Sequence, residues 1–172
     1  MKRMIRKITL VLGACALLVC SRAVFPIEHV SVEIGRGEDR TNLLRIAVEE
    51  PWRKQQAAAG SEWQFAGYWE FSAALWDNRD DSTADVGFTP VFRWERASIY
   101  VEGALGFHLV QTHISAARTF STAFQFAEHV AAGIRLRKYE LGLGLQHLSN
   151  GGLNKPNPGI NFVLMRVRYT LE

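Results

Sequence analysis

The sequence predicts an all-β protein, an eight-stranded antiparallel transmembrane β-barrel of the outer membrane. Three observations carry that expectation. After residue 23 the 172-residue chain alternates apolar and polar residues with a period of two between turn clusters, as strands with two different environments do. No segment there holds the run of about 20 apolar residues that a membrane-spanning helix needs. The apolar faces are rich in Trp and Phe while Arg and Glu lie deep on the opposite face, the pattern of a barrel that is apolar toward lipid and polar inside.

The first 23 residues stand apart. In "MKRMIRKITLVLGACALLVCSRA", Lys2, Arg3, Arg6 and Lys7 precede an apolar run of 13 residues from Ile8 to Cys20, and Ser21-Arg22-Ala23 closes on the small-x-small pattern of signal peptidase. Such a run is too short to span a membrane. Residues 1–23 are therefore expected to be a cleaved export signal and residues 24–172 the barrel. Lipid attachment at Cys20 is the weaker alternative, because Val19 is bulky where such a site prefers a small residue. Removal of the signal leaves 149 residues, enough for one domain. It also takes away both cysteines, and with them any disulfide, thiolate nucleophile or cysteine metal site. Five of the 20 Lys and Arg leave with it, so 15 basic residues face 17 acidic ones, a net charge of −2. Composition then gives no reason to expect a nucleic-acid partner.

The strands follow in order. Short stretches near 29–36 and 42–49 form the first two. In "EWQFAGYWEFSAALW" the odd positions Trp63, Phe65, Trp69, Phe71 and Leu75 oppose Glu62, Gln64, Tyr68, Glu70 and Ser72. The fourth sets Val86, Phe88, Pro90, Phe92 and Trp94 against Gly87, Thr89 and Arg93. In the fifth, Ile99, Val101, Leu105, Phe107 and Leu109 oppose Tyr100, Glu102 and His108. In the sixth, Phe124, Phe126, Val130, Ile134 and Leu136 oppose Gln125, His129, Arg135 and Arg137. The last two cover about 139–150 and 158–171, with Arg166 and Arg168 on the polar side.

Closure of such strands satisfies every backbone group and leaves no edge in lipid. An eight-stranded ligand-binding barrel of lipocalin shape is the soluble rival; strand length and inward arginines favour the membrane. Tight turns are expected at Glu95-Arg96 and Lys138 on the periplasmic side, and longer external loops at "DNRDDST" and "QTHISAARTFS". The stretch 50–61 is long for a periplasmic turn, and the chain ends "RYTLE" where many such barrels end on an aromatic residue.

Strand seven reads "YELGLGLQHLSN". Leu141, Leu143, Leu145, His147 and Ser149 share the lipid face, while Gly142, Gly144, Gln146 and Asn150 point inward. A polar rim where the lipid face ends is one reading of His147 and Ser149, and the Asn, Gly and Pro that follow are ordinary turn formers. A hairpin pairing 149 with 159 also pairs 147 with 161, which sets Asn161 beside His147 on the same face. A nucleophile, a base and an orienting group in line is the arrangement covalent hydrolases use.

His147-Leu148-Ser149-Asn150 followed by Lys155-Pro156-Asn157-Pro158-Gly159-Ile160-Asn161 resembles the signature of the PagL-type lipid A 3-O-deacylases, small outer-membrane enzymes with an eight-stranded barrel. The resemblance implies an esterase acting on the hydroxyacyl chain at position 3 of lipid A, with Ser149 as nucleophile and His147 as general base. Asn150, Gly152 and Asn157 would organise or form the oxyanion site. The third triad member in the family is typically a Glu, and the matching position is Asn161. Its carbonyl can accept the His Nδ1 proton, but it cannot balance an imidazolium with charge; a slower enzyme or recruitment of another acid is the expectation. Glu140, seven residues from His147 and about 23 Å away along the strand, is a poor substitute.

No cofactor and no metal is called for, since the five histidines are dispersed; His29, His113 and His129 are expected to be interior, loop or solvated residues. The implied partners are lipid A or lipopolysaccharide in the outer leaflet and the membrane itself, with a homo-oligomer left open. A non-enzymatic barrel serving adhesion or surface structure is the rival function.

Overall fold

The computed structural model describes residues 27–52, 56–57, 62–78, 82–111, 113–115 and 118–171. The expected signal lies outside them. The strands are β1 (His29–Gly37), β2 (Asn42–Pro51), β3 (Gln56–Ala57), β4 (Gln64–Asp77), β5 (Ser82–Arg96), β6 (Ile99–Val110), β7 (His113–Ser115), β8 (Arg118–Thr119), β9 (Phe124–Leu136), β10 (Tyr139–Ser149) and β11 (Ile160–Thr170). Eight of them form the wall, in the order β2-β1-β11-β10-β9-β6-β5-β4, and β4 pairs back onto β2 to close it. Every wall pairing is antiparallel. The expected fold is therefore the observed one.

Side-chain parity follows the sequence. Val32, Ile34, Leu105, Leu109, Leu141, Leu143, Leu145, Val163, Met165 and Val167 are exposed on the outer surface as a continuous apolar band. The period-two pattern sends the alternate residues into the barrel, where charged groups meet their partners. Arg166 contacts Glu33 at 2.6 Å, Glu70 at 2.9 Å and Glu102 at 3.4 Å. Arg93 contacts Glu140 at 2.8 Å, Glu95 at 2.9 Å and Glu102 at 3.0 Å, and Arg45 meets Glu33 at 2.8 Å. Charges removed from water are tolerated when each finds opposite charge and hydrogen bonds; here the cations share carboxylates so that none is left with a single partner's geometry. Glu140 belongs to this network, held by Arg93, Arg135 and Arg168.

The interior is not polar throughout. Toward the end that carries the β10–β11 loop, Trp76, Leu148, Ile160, Phe162 and Leu164 are all buried to within 1% exposure and pack with Phe120. The Trp76 ring stands 5.1 Å from Phe162 and 6.4 Å from Phe120. Leu148 and Ile160 are inward neighbours of the polar outward residues, so the site rests on an apolar plug.

Several boundaries differ from expectation for local reasons. β5 starts at Ser82 because Ser82 and Thr83 extend the ladder with Asp77 and Trp76. The β5–β6 turn is Ala97-Ser98 instead of Glu95-Arg96: Arg96 still pairs with Ile99, and Ala97 takes φ 50° to reverse the chain. Glu95 points inward to Arg93 and Arg135. The described part of 50–61 continues the sheet, with β3 against β4 and Trp52 N–H donating to the Gly67 carbonyl at 2.8 Å. The segment 111–123 carries the small β7–β8 hairpin.

Candidate active site

β10 brings a leucine stripe up the outer surface and ends it in His147 and Ser149, both half-buried. His147 pairs with Asn161 on β11, as the hairpin register predicts, and with Glu128 on β9. All three side chains share the outward parity. The imidazole Nδ1 and Asn161 Oδ1 are 2.8 Å apart.

The Asn161 amide is held on its other side. Its Nδ2 donates to Glu38 Oε1 at 2.7 Å. A carboxylate only accepts hydrogen bonds, so the NH2 of Asn161 must face Glu38 and the carbonyl must face His147. That orientation requires the proton on Nδ1 and leaves the Nε2 lone pair available. Glu38 is presented by a tight 3-10 turn, Glu38–Arg40, between β1 and β2. Gly37 N–H donates to the Thr41 carbonyl at 2.7 Å and Thr41 N–H to the Glu38 carbonyl at 3.0 Å, which fixes the corner.

Gly159 closes the loop against the ring. It is buried with φ 58°, and a Cβ there would stand 2.8 Å from His147 Cε1 and 3.2 Å from the Leu148 carbonyl. Only glycine takes both the left-handed backbone and the close approach without strain.

Asn150 organises the loop from inside. Its N–H donates to Asn157 Oδ1 at 3.1 Å, and its Nδ2 donates to Ser121 Oγ at 3.0 Å and to the Asn154 carbonyl at 2.8 Å. Its Oδ1 accepts from Gly152 N–H at 2.9 Å. The N–H groups of Asn150 and Gly152 are thus engaged within the loop. The N–H that faces the serine is that of Gly151, which donates to Ser149 Oγ at 3.3 Å.

The structure therefore joins His147 to Asn161 and Asn150 to both Gly152 and Asn157, with Ser149 one strand repeat beyond His147 on the same face. Glu38, Gly151 and Glu128 also stand beside these residues, and the strand pattern around His147 does not single them out. Glu128 was legible as an outward carboxylate between Phe126 and Val130; the other two needed the loops. An open groove of about 780 Å³ runs over this region, lined by Glu38, Glu128, Leu145, His147, Asn161 and Val163 among others. Of the other histidines, His129 is buried and His29 half-buried in the barrel, His113 lies in β7, and His108 Nδ1 is 2.7 Å from Asp85 Oδ1 in the interior.

Fold and site together describe a closed antiparallel β-barrel that carries a polar cluster of His147, Ser149 and Asn161 on an apolar outer wall. Residues 43–170, well over half of the chain, match the family model described as "Lipid A 3-O-deacylase (PagL)". The chain belongs to that family, and with it to the ester hydrolases that deacylate lipid A. The lipid A deacylase PagL of Bordetella bronchiseptica is 29% identical over 119 residues, covering 62% of this chain and 67% of its own. The lipid A deacylase PagL of Pseudomonas aeruginosa is 26% identical over 140 residues, covering 76% and 79%. Among solved structures, the crystal structure of the outer membrane enzyme PagL superposes with a TM-score of 0.76 at 23% identity, over 83% of this chain and 99% of that one. A de novo designed transmembrane β-barrel gives 0.58 at 10% identity, over 84% and 95%. At these identities the two solved structures show the likeness of fold alone.

Proposed function

We propose that this chain removes the ester-linked hydroxyacyl chain at position 3 of lipid A, with Ser149 as nucleophile, His147 as general base and Asn161 as the group that orients the base. The single observation that supports the assignment is the 2.8 Å contact between His147 Nδ1 and Asn161 Oδ1 on the outward face that also carries Ser149. With Nδ1 protonated, Nε2 takes the Ser149 proton as Oγ attacks the ester carbonyl. The tetrahedral intermediate collapses with loss of the sugar 3-oxygen, which receives that proton from the imidazolium. Water, deprotonated by Nε2, then attacks the acyl-serine, frees the hydroxy fatty acid and restores Ser149.

Ser149 Oγ must turn from the Gly151 N–H to Nε2 for the first step. Catalytic hydrogen bonds commonly tighten only when substrate binds. The Gly151 N–H and the Asn157 amide nitrogen are then the donors for the oxyanion. Each such donor is worth about a hundredfold or more in kcat.

The apolar outer band supports a place in the outer membrane with the β10–β11 loop outside, and the expected export signal at 1–23 agrees with it. An ester at the boundary between headgroup and acyl chain then reaches the site by lateral diffusion. The test is mass spectrometry of lipid A from cells expressing the chain. Loss of the 3-linked acyl chain that disappears in Ser149→Ala is expected; no loss, or loss that persists in Ser149→Ala, overturns the reading.

A further inference from the structure

We propose that Glu38, on the β1–β2 turn, is the acid of this site, acting on His147 through the Asn161 amide as a positioning residue in a four-membered relay Ser149–His147–Asn161–Glu38. The inference rests on the reading above and adds a residue to it. Its basis is the pair of contacts on one amide, 2.8 Å to His147 Nδ1 and 2.7 Å to Glu38 Oε1.

An asparagine beside a histidine can turn over and offer its NH2 to the ring. The ring would then have to accept at Nδ1 and carry its proton on Nε2, the tautomer that cannot take a proton from serine. Glu38 excludes that orientation because its carboxylate accepts only the NH2. It also supplies the charge that Asn161 lacks. A hydrogen bond to an ionised group is stronger than a neutral one and polarises the next bond in the chain, so the Asn161 carbonyl is a better acceptor for an imidazolium than an isolated amide.

Two other carboxylates are near in sequence or space, and neither is placed to do this. Glu140 faces the interior and is held by Arg93, Arg135 and Arg168. Glu128 is the neighbour of His147 on β9, and no hydrogen bond links the two among the described residues. Among the described carboxylates Glu38 alone bonds the group that bonds the ring, and the turn that holds it is fixed by two backbone hydrogen bonds.

A glutamate at 161 would deliver its charge directly, but beside Glu38 it would set two carboxylates at hydrogen-bond distance, which repel. The Asn161 and Glu38 positions therefore work as alternatives.

The experiment is a double-mutant cycle on the full-length barrel in detergent micelles with purified lipopolysaccharide, reading the released 3-linked acyl chain by mass spectrometry. Glu38→Ala is expected to lower kcat about ten- to a hundredfold, the kinetic equivalent of losing a hydrogen bond to a charged group, with KM little changed. Glu38→Gln, which keeps an acceptor, is expected to lose less. In the Asn161→Glu background Glu38→Ala is expected to cost nothing or to raise kcat. Equal activity of Glu38→Ala and the parent overturns the relay, and so does the same loss in both backgrounds. Activity surviving in Ser149→Ala sinks the underlying mechanism instead, which separates the two failures.

Discussion

The Gly151 N–H donates to Ser149 Oγ at 3.3 Å, so the backbone donor bonded to the proposed nucleophile belongs to the residue two positions beyond it. The aim of this donor depends on the loop, and the loop depends on Asn150, whose side chain and N–H bind four groups around it.

Asn150→Ala should therefore lower kcat by about a hundredfold or more, the cost of displacing an oxyanion donor, while the barrel still folds. Ser121→Ala, which removes one of the Asn150 partners, should cost only a few-fold by the modest worth of a single hydrogen bond, about 1 kcal/mol. Time courses of deacylation by mass spectrometry compare the two. Equal losses would mean that the loop does not hold the donor.

Gly159→Ala should impair the site more than the fold. The added methyl meets the His147 ring and must adopt φ 58°, a strain of about 1–2 kcal/mol for a non-glycine residue. The expected outcome is a fall in kcat far larger than the modest drop in urea midpoint that a strain of about 1–2 kcal/mol gives. Unchanged turnover would show that the ring moves aside freely.

Arg166→Met should destabilise the barrel strongly. It leaves Glu33, Glu70 and Glu102 with a lost cation in the interior, and breaking a buried ion pair on one side costs about 3–5 kcal/mol. Equilibrium unfolding of vesicle-inserted protein measures this; a loss under about 1 kcal/mol would mean that water enters and screens the network.

Leu143→Arg tests where the outer wall lies. Leu143 is 65% exposed, so in a water-soluble barrel the change would be nearly neutral. In a bilayer an arginine near the midplane costs about 2–4 kcal/mol of folding free energy. Folding into lipid vesicles against the parent distinguishes them.

Parity carried most of what could be read from the sequence. The alternation in "YELGLGLQHLSN" put His147 and Ser149 on the outside, and one hairpin register put Asn161 beside them, because neighbouring strands leave little freedom once turn length is set. Glu38 was out of reach of the same reasoning. It lies 123 residues from Asn161, and their meeting depends on how β1 closes against β11, which no local pattern states. The apolar plug escaped for a related reason: Trp76, Phe120 and Phe162 come from distant segments, and a strand's inward face looks alike in sequence whether it meets ions or rings. The Asn150 network also depends on a loop conformation that several turn-forming residues could have realised differently.

The apolar plug at one end and the shared ion pairs below it have a physiological corollary. Rings and methyl groups fill the bore where a porin would hold water, and the arginines and glutamates behind them are committed to one another. Reconstituted in a planar bilayer, such a barrel should pass no measurable ionic current. A barrel sealed in this way can be present in many copies without adding a pore to the bilayer that holds it.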